Sequence, residues 1–583
     1  MKEKNVILQP AKKNRRKIIR SILQLIVVVF LAVVLIKAVF LTDKRFAEAV
    51  PLNNKEGFIA LSYFGVSRND SPKYVSKKNL EEQLTLLEKQ GYQTITQQDI
   101  LDFYQKNKPL PEKALFLSFE DGRTDSSIFA QNIMEKLNYK ATMFTYANKM
   151  DTRDHKFLKP KDLKLMEKSS YWELGSNGYR LTYINIFNDK GQSLGMIDEN
   201  NIPNKTTIEY YNHYLMDFIR NQYMIPSETR QEMEIRIKKD YKLMQDIYQQ
   251  EFGKVPKAYA IMHANSLYNN MDPLVQSAND KEIKDKFLMH FNRELSAYND
   301  KDSDLYNLNR LQVSPYWSTN HVMMKIRQAS NQNVEFKIGD PALAQKWHTV
   351  NGAAEFDQNK VILTSAPSSE GRILLKETMP QQYNANFTFK GNVVGEQAFY
   401  VNYDDKTNSY LRIALIDNEL VVSEKLPASD IVEKARFPLN EIRWNEEEYA
   451  FNKATVYTFQ DTQKGSRIVE EEYPRNLTKN RVFNIAVNKD KININVDHVL
   501  SETIQINPSL HGSQIGFGAL FSHKDTSHEQ YADDIYDTLI EDILITDRKD
   551  QTIFTNQYTN FEKVKYKSTT LFNHVVDFFI ETF

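Results

Sequence analysis

The sequence predicts an α/β domain built on a parallel sheet, then an all-β antiparallel sandwich, with a transmembrane helix ahead of both. Three patterns predict it. From Phe58 to about Ser330, strand-like and helix-like runs alternate, the rhythm of parallel strands joined by helical crossovers. Beyond about Asp340, apolar and polar residues alternate with period two, as in half-buried strands. Residues Ser21 to Leu41 (SILQLIVVVFLAVVLIKAVFL) form an apolar run. At 583 residues the chain is too long for one ordinary core, so two folded domains with accessory segments are expected. Its formal net charge of −1, an even mixture of signs, argues against a general nucleic-acid binder. With no cysteine, disulfides, thiolate metal sites and a cysteine nucleophile are excluded. The 31 Tyr and 33 Phe are plentiful, and most aromatics fill cores.

The apolar run is long enough for about one membrane span at roughly 1.5 Å per residue. Gln24 and Lys37 fall near its ends, where long side chains reach the interface. Lys12, Lys13, Arg15, Arg16, Lys17 and Arg20 precede it, so residues 1–20 are expected in the cytoplasm and everything beyond Thr42 outside. The expected location is therefore the cell membrane, single-pass, with the bulk extracellular. The competing reading is a cleaved signal peptide, because Ala47-Glu48-Ala49 has a small-x-small form. Residues 42–57 form a connector.

The strand FIALSYFGV opens the first domain, residues 58–330. Lys77 to Gln90 carries Leu80, Leu84 and Leu87 at helical spacing and ends at Gly91. A short strand near Gln93–Ile95 and a helix from Gln97 to about Tyr104 follow. Ala114–Phe119 reads as a buried strand that ends in Glu120, Asp121 and Gly122; a helix and the strand Ala141–Tyr146 come next. Polar side chains converge at the carboxyl ends of parallel strands. YWELGSNGYRLTY, Tyr171 to Tyr183, is a second strand-end signal. Residues 185–223 read as an insertion rich in Asn and Tyr, longer than an ordinary loop. Thr229 and Glu232 can form a capping box for a helix that Gly253 stops. KAYAIMHAN and LYNLNRLQVSPYW supply further strands. In residues 340–550, NANFTFKG, AFYVNYDD, YLRIALIDNELVVSEKL, RVFNIAVNKDKININVDHV, QIGFGALF and IEDILITD are the strands of the sandwich. In the tail, 551–583, Leu571, Val575, Phe579 and Phe583 share one face of an amphipathic helix.

FLSFEDG resembles the first motif, T-F-D-D-G, of the NodB-homology polysaccharide deacetylases (carbohydrate esterase family four), and ELGSNGYRL resembles their second, E-I-G-S-H-G-x-x-H. YVSKKNLEEQLTLLEKQGYQTITQQDIL is similar to the approach to the first motif, and LYNLNRLQVSPYW to the closing strand. The likeness covers about Phe58 to Ser330 and implies a distorted (β/α) barrel. The C-terminal pattern looks like a concanavalin or laminin-G jelly roll, lectin-like. In the family the first acidic residue is the general base, and the second, with two histidines, holds a divalent metal, often zinc. By that resemblance Glu120 stands as the base and Asp121 as the metal aspartate, while the histidines fall on Asn177 and Leu181. A family Y-H pair is Tyr63-Phe64 here. Glutamate carries the carboxylate about an angstrom further, which can cost roughly a hundredfold.

Three classes of function follow. The first is a membrane-anchored relative that binds or modifies a cell-surface or exopolysaccharide without the usual metal-dependent deacetylation and without a cofactor. The second is an active N-deacetylase with altered zinc ligation, for which His263 is the foremost replacement ligand among His155, His213, His263 and His290. The third is a metal-independent glycoside hydrolase or lyase using Glu120 and Glu173, which requires two carboxyl groups about 5–10 Å apart. Catalytic candidates are Glu120 and Asp121; substrate-binding candidates are Asn177, Arg180, His263, Arg310 and Trp172. For Trp172 and Trp317 core packing competes with sugar stacking. The expected partners are an extracellular or cell-wall polysaccharide and the membrane, with a polysaccharide synthase complex as a further candidate.

Overall fold

The computed structural model describes residues 20–22, 24–25, 45–48, 50, 52–198, 201–261, 271–294, 296–330, 332–445, 477–521, 533–559, 562 and 568. Most of Ser21–Leu41, His263 and the tail from Leu571 lie outside them. Among the described residues no helix is long and apolar enough to cross a membrane.

Seven parallel strands close into a barrel. They are β1 (Gly57–Tyr63), β2 (Lys113–Phe119), β3 (Ala141–Tyr146), β4 (Trp172–Gly178), β8 (Ala258–Ala260), β9 (Met289–Glu294) and β10 (Leu308–Gln312), in that order around the ring. The ring closes because β1 pairs with β2 on one side, Ile59 to Leu115, and with β10 on the other, Leu61 to Leu311. Phe58, Phe116, Phe144, Met289 and Phe291 fill its lower interior, so the barrel is a packed core, not a pore. Phe116 and Phe291 stack inside it at 4.8 Å between centroids.

The leucines of the first expected helix are buried on α1 (Lys77–Lys89), whose N-cap is Ser76. The next helix, α2 (Gln97–Lys106), does something the sequence did not suggest. Its Ile100, Leu101 and Phe103 join Phe58, Phe116, Phe144 and Phe291 in one cluster, so it closes the barrel at the amino end of the strands. Helix α3 (Thr124–Leu137) covers the wall next to α1. The capping box of Thr229 and Glu232 starts α4 (Arg230–Phe252), and Gly253, at φ 71°, ends it. The insertion is an antiparallel sheet of β5 (Thr182–Asn188), β6 (Ser193–Asp198) and β7 (Ile208–His213), with β5 central. Its apolar face packs on Tyr146 at the end of β3, on Leu181 beyond β4 and on Phe64 beyond β1. The insertion therefore sits on the carboxyl ends of the barrel strands.

After α5 (Thr319–Ser330), two antiparallel sheets of seven and eight strands face each other. The strands expected from the period-two runs are all present. Phe387, Phe389 and Phe483 of one sheet meet Phe399 and Phe517 of the other, with Phe387 5.0 Å from Phe399 and 5.1 Å from Phe517. Such aromatic contacts contribute about 0.5–1.5 kcal/mol each beyond area burial. The sandwich meets the barrel at α5, where His321 lies 2.9 Å from Asp533 and 2.9 Å from Asp537. Lys325 adds ion pairs to Asp533 at 3.0 Å and Asp534 at 3.2 Å.

Candidate functional site

Beyond Phe119 the chain turns sharply at the barrel mouth. Asp121 and Gly122 are both left-handed, at φ 69° and 61°. A Cβ at Gly122 would stand 2.8 Å from the Thr145 methyl, so both the turn and the close approach require glycine. The turn directs Glu120 inward and Asp121 toward β4.

Glu120 is fully buried. Arg310 of β10 grips it with two parallel bonds: Nε donates to Oε1 at 2.7 Å and Nη2 to Oε2 at 3.1 Å. The Ser62 hydroxyl of β1 also donates to Oε1. The third guanidinium nitrogen, Nη1, donates to the Phe291 carbonyl at 2.9 Å. Burial alone would raise the Glu120 carboxyl. The Arg310 charge, the hydrogen bonds from Arg310 and Ser62, and the charge of Arg293 outweigh it and hold Glu120 below the usual range. Arg293, on β9, is itself lowered by burial, with Glu120 acting in the opposite direction. Sequence reasoning had both Glu120 and Arg310 but not their pairing, and it missed Ser62 and Arg293. The signal for Ser62 was a small polar residue near the end of an apolar strand, in register with Ser118 of β2. Arg293 lies on a strand the periodicity did not reveal.

Asn177, where the resemblance places a metal histidine, spans two strands. Its Oδ1 accepts the Asp121 backbone N–H at 3.1 Å, and its Nδ2 donates to the Ala260 carbonyl at 3.0 Å. Leu181, at the second histidine position, is 8% exposed and packs with Tyr146, Tyr183, Ile186 and Tyr211. A catalytic zinc needs about three protein ligands. Here one position holds an amide turned to backbone groups and the other an aliphatic side chain, so these two positions do not fit a zinc site; His263 lies outside the described residues. Among the described residues no group of three His, Cys, Asp or Glu side chains is placed to hold a metal ion. His290 is buried behind Tyr259, with Nδ1 3.0 Å from the Tyr306 carbonyl oxygen, and burial pushes its pKa down to about 3. His213 lies on β7 among Tyr183 and Tyr211.

The other candidates are dispersed. Arg180, one-third exposed, bonds Asp240 of α4 at 3.2 Å and lies over the Tyr214 ring. Burial raises Asp240 to about 6 against the pull of Arg180. Arg310 lies beneath Glu120 with no exposed surface, so it positions the carboxylate instead of reaching a ligand. The expectation that Trp172 binds substrate needs correction. It is 2% exposed, its indole N–H donates to Gln131 at 2.6 Å, and its ring packs on Phe119 in the layer under the helices. Trp317 is likewise core, stacked on His321 at 4.5 Å. Glu173 also departs from its expected role. It sits near the amino end of β4 and accepts the Gln97 N–H at 2.8 Å, capping the helix that plugs the barrel. Burial raises its pKa. Glu120 and Glu173 therefore serve opposite ends of the barrel, which speaks against a glycosidase pair.

Residues 107–270 match the family described as polysaccharide deacetylase. A stretch of 95 residues, 16% of this chain, is 30% identical to YxkH of Bacillus subtilis (strain 168), which carries the name of a polysaccharide deacetylase. The chain spans about a third of the length of that relative, 34%. Among solved structures, a de-N-acetylase from Aggregatibacter actinomycetemcomitans has 18% identity and a TM-score of 0.36, over 46% of this chain and 99% of that one. A Streptococcus pyogenes deacetylase has 14% identity and a TM-score of 0.33, over 46% and 98%. A carbohydrate-binding module of Bacillus subtilis has 12% identity and a TM-score of 0.23, over 34% and 94%.

Proposed function

We propose that this chain, whose barrel is a polysaccharide-deacetylase domain, binds or guides an extracellular or cell-wall polysaccharide without metal-dependent removal of acetyl groups. In this reading Ser21–Leu41 anchors it in the cell membrane, the barrel and sandwich lie outside, and a polysaccharide synthase complex is a candidate neighbour. The observation that carries the reading is Asn177: its amide spans Asp121 and Ala260 at 3.1 and 3.0 Å where a metal ligand would be needed. Two further facts support it. Leu181 is part of an apolar cluster, and both carboxylate oxygens of Glu120 accept bonds from protein donors. A general base must come within hydrogen-bond reach of the proton it takes, and here Arg310 would first have to release it.

Metal content and product release test this together. The purified full chain is expected to carry well under one zinc per molecule and to release no chelator-sensitive acetate from chitin oligomers. Asn177→His with Leu181→His, beside Asp121, supplies three protein ligands and should bring measurable zinc binding. Activity is not expected to return with it, because Glu120 stays paired and no neighbouring groups are placed to orient the new imidazoles. Stoichiometric zinc in the unmodified chain, with acetate release abolished by Asp121→Ala, would overturn the reading in favour of a deacetylase.

A further inference from the structure

Away from the mouth, the barrel wall carries a groove between α1 and α3, with Lys337 of the segment leading to the sandwich at its side. Its volume is about 960 Å³, the upper end of ordinary ligand sites. The floor is apolar: Leu86 and Phe129 line it, and Ile128 is 60% exposed. The walls are basic. Six lysine and arginine side chains line the groove against two carboxylates, Glu81 and Glu82. Glu81 is taken by Lys136 at 2.9 Å and Glu82 by Lys337 at 3.0 Å. Lys77 and Lys89, at the two ends of α1, make no ion pair among the described residues. In a chain of net charge −1 this is a local concentration of positive charge, and a recess lined by one sign focuses its field on an oppositely charged ligand.

We infer that this groove is a subsite for an anionic glycan strand, one bearing carboxylate or phosphate groups along its length. The inference rests on the glycan-binding reading above and adds the class of glycan. The cations run from Lys77 to Lys89, roughly 18 Å at 1.5 Å per helical residue, which suits charges repeated along a chain more than a single anion. The groove also has the right neighbours. At one end α3 begins just beyond Asp121 and Gly122, and its Ser126 hydroxyl accepts the Val66 N–H at 3.1 Å, so that end adjoins the mouth. Along the side, Lys337 also pairs with Glu355 of the sandwich. A strand held here would touch both parts of the molecule.

Titration of the full chain in detergent tests this, with polygalacturonate oligomers, phosphorylated dextran, unmodified dextran, chitin oligomers and phosphatidylglycerol–phosphatidylcholine vesicles as probes. At least one charged glycan should bind, more weakly as salt rises, and which one binds separates carboxylate from phosphate. Lys77→Glu with Lys89→Glu should weaken that binding at least tenfold, leaving the melting temperature and any binding of chitin oligomers unchanged. The same reversal at Lys161 and Lys239, exposed elsewhere, should change it less than twofold. Equal losses from the two pairs, or binding to vesicles alone, would overturn the inference. Binding of neutral glycans with no response to charge would overturn it and leave the glycan-binding reading standing. Failure to bind any glycan would remove both.

Discussion

Two of the buried charge clusters, one at the barrel mouth and one at the seam, do different work. At the barrel mouth one carboxylate, Glu120, meets one guanidinium, Arg310, with Ser62 completing the set. At the seam between barrel and sandwich, His321 and Lys325 of α5 meet Asp533, Asp534 and Asp537. The first is closed: its acceptors and donors are matched inside a single barrel, in the place where a catalytic carboxylate would be open to substrate. The second joins two regions distant in sequence, and its charges fix how they meet. Burial of a charge thus reveals little about function until its partners are counted.

The largest expected effect comes from breaking the first cluster on one side. Arg310→Ala leaves Glu120 buried without its hydrogen-bonded cation, with only the charge of Arg293 beside it, and loss of one member of a buried pair costs about 3–5 kcal/mol. Denaturant unfolding should register it, and Arg310→Ala combined with Glu120→Ala should be less destabilised than the sum of the single changes. Strict additivity would mean that the two side chains are not coupled, and the comparison would fail.

Next comes the seam. Burial disfavours the His321 imidazolium, but Asp533 and Asp537 outweigh it and raise the pKa from 6.5 to about 9. A shift of that size corresponds to about 3 kcal/mol. The folded value is raised, so the contribution is complete below about pH 6.5 and is lost as pH rises through about 9. Unfolding measured at pH 7 and pH 10 should lose this stability in the wild type and lose less in His321→Gln. A fragment starting at Asp340 lacks His321 and Lys325, so its stability should not carry the same decline; an identical slope in all three would dissolve the second cluster as an explanation.

A smaller effect is expected at the strand clip. Asn177→Ala removes both bonds and leaves the Asp121 N–H and Ala260 carbonyl unmatched, about 1–3 kcal/mol. Asn177→Ala as stable as wild type would show that the amide is dispensable to the mouth, and would weaken the argument that it is structural.

Much of the fold was legible because it is written locally. The leucine spacing of α1, the Thr229–Glu232 box of α4 and the alternation in the sandwich each depend on neighbours within a few residues. The site was legible only in part. Glu120, Asp121 and Asn177 stand out at strand ends, but the bond from Arg310 to Glu120 joins β10 to the end of β2 past β1, strands distant in sequence that ring closure brings together, which no local pattern encodes. Trp172 illustrates the same limit: its place beside the second motif suggested a ligand, while the pleat of β4 turns it outward beneath α3. The plug helix α2 was visible as a helix but not as a plug, since its apolar face could equally have packed on the barrel wall. His321 gave no sign, because its carboxylates come from the start of the strand Asp537–Asp547 and the residues just before it, more than two hundred positions away.

The closure of the barrel between Leu61 and Leu311 has a consequence for how the chain is made. β1 is among the first strands to leave the ribosome, and β10 is the last of the ring. Until Leu308–Gln312 emerges, β9 has only β8 as a partner, and the second edge of β1 has only the short run Tyr298–Asp300 against Gly57–Ile59, so much of two strand edges waits unpaired. Pairing over such a sequence distance is intrinsically slow, and open edges invite the wrong partner. A chain ending before Leu308 should therefore accumulate as aggregate, whereas one ending after α5 should remain in solution, a difference that ultracentrifugation of freshly translated chains would measure.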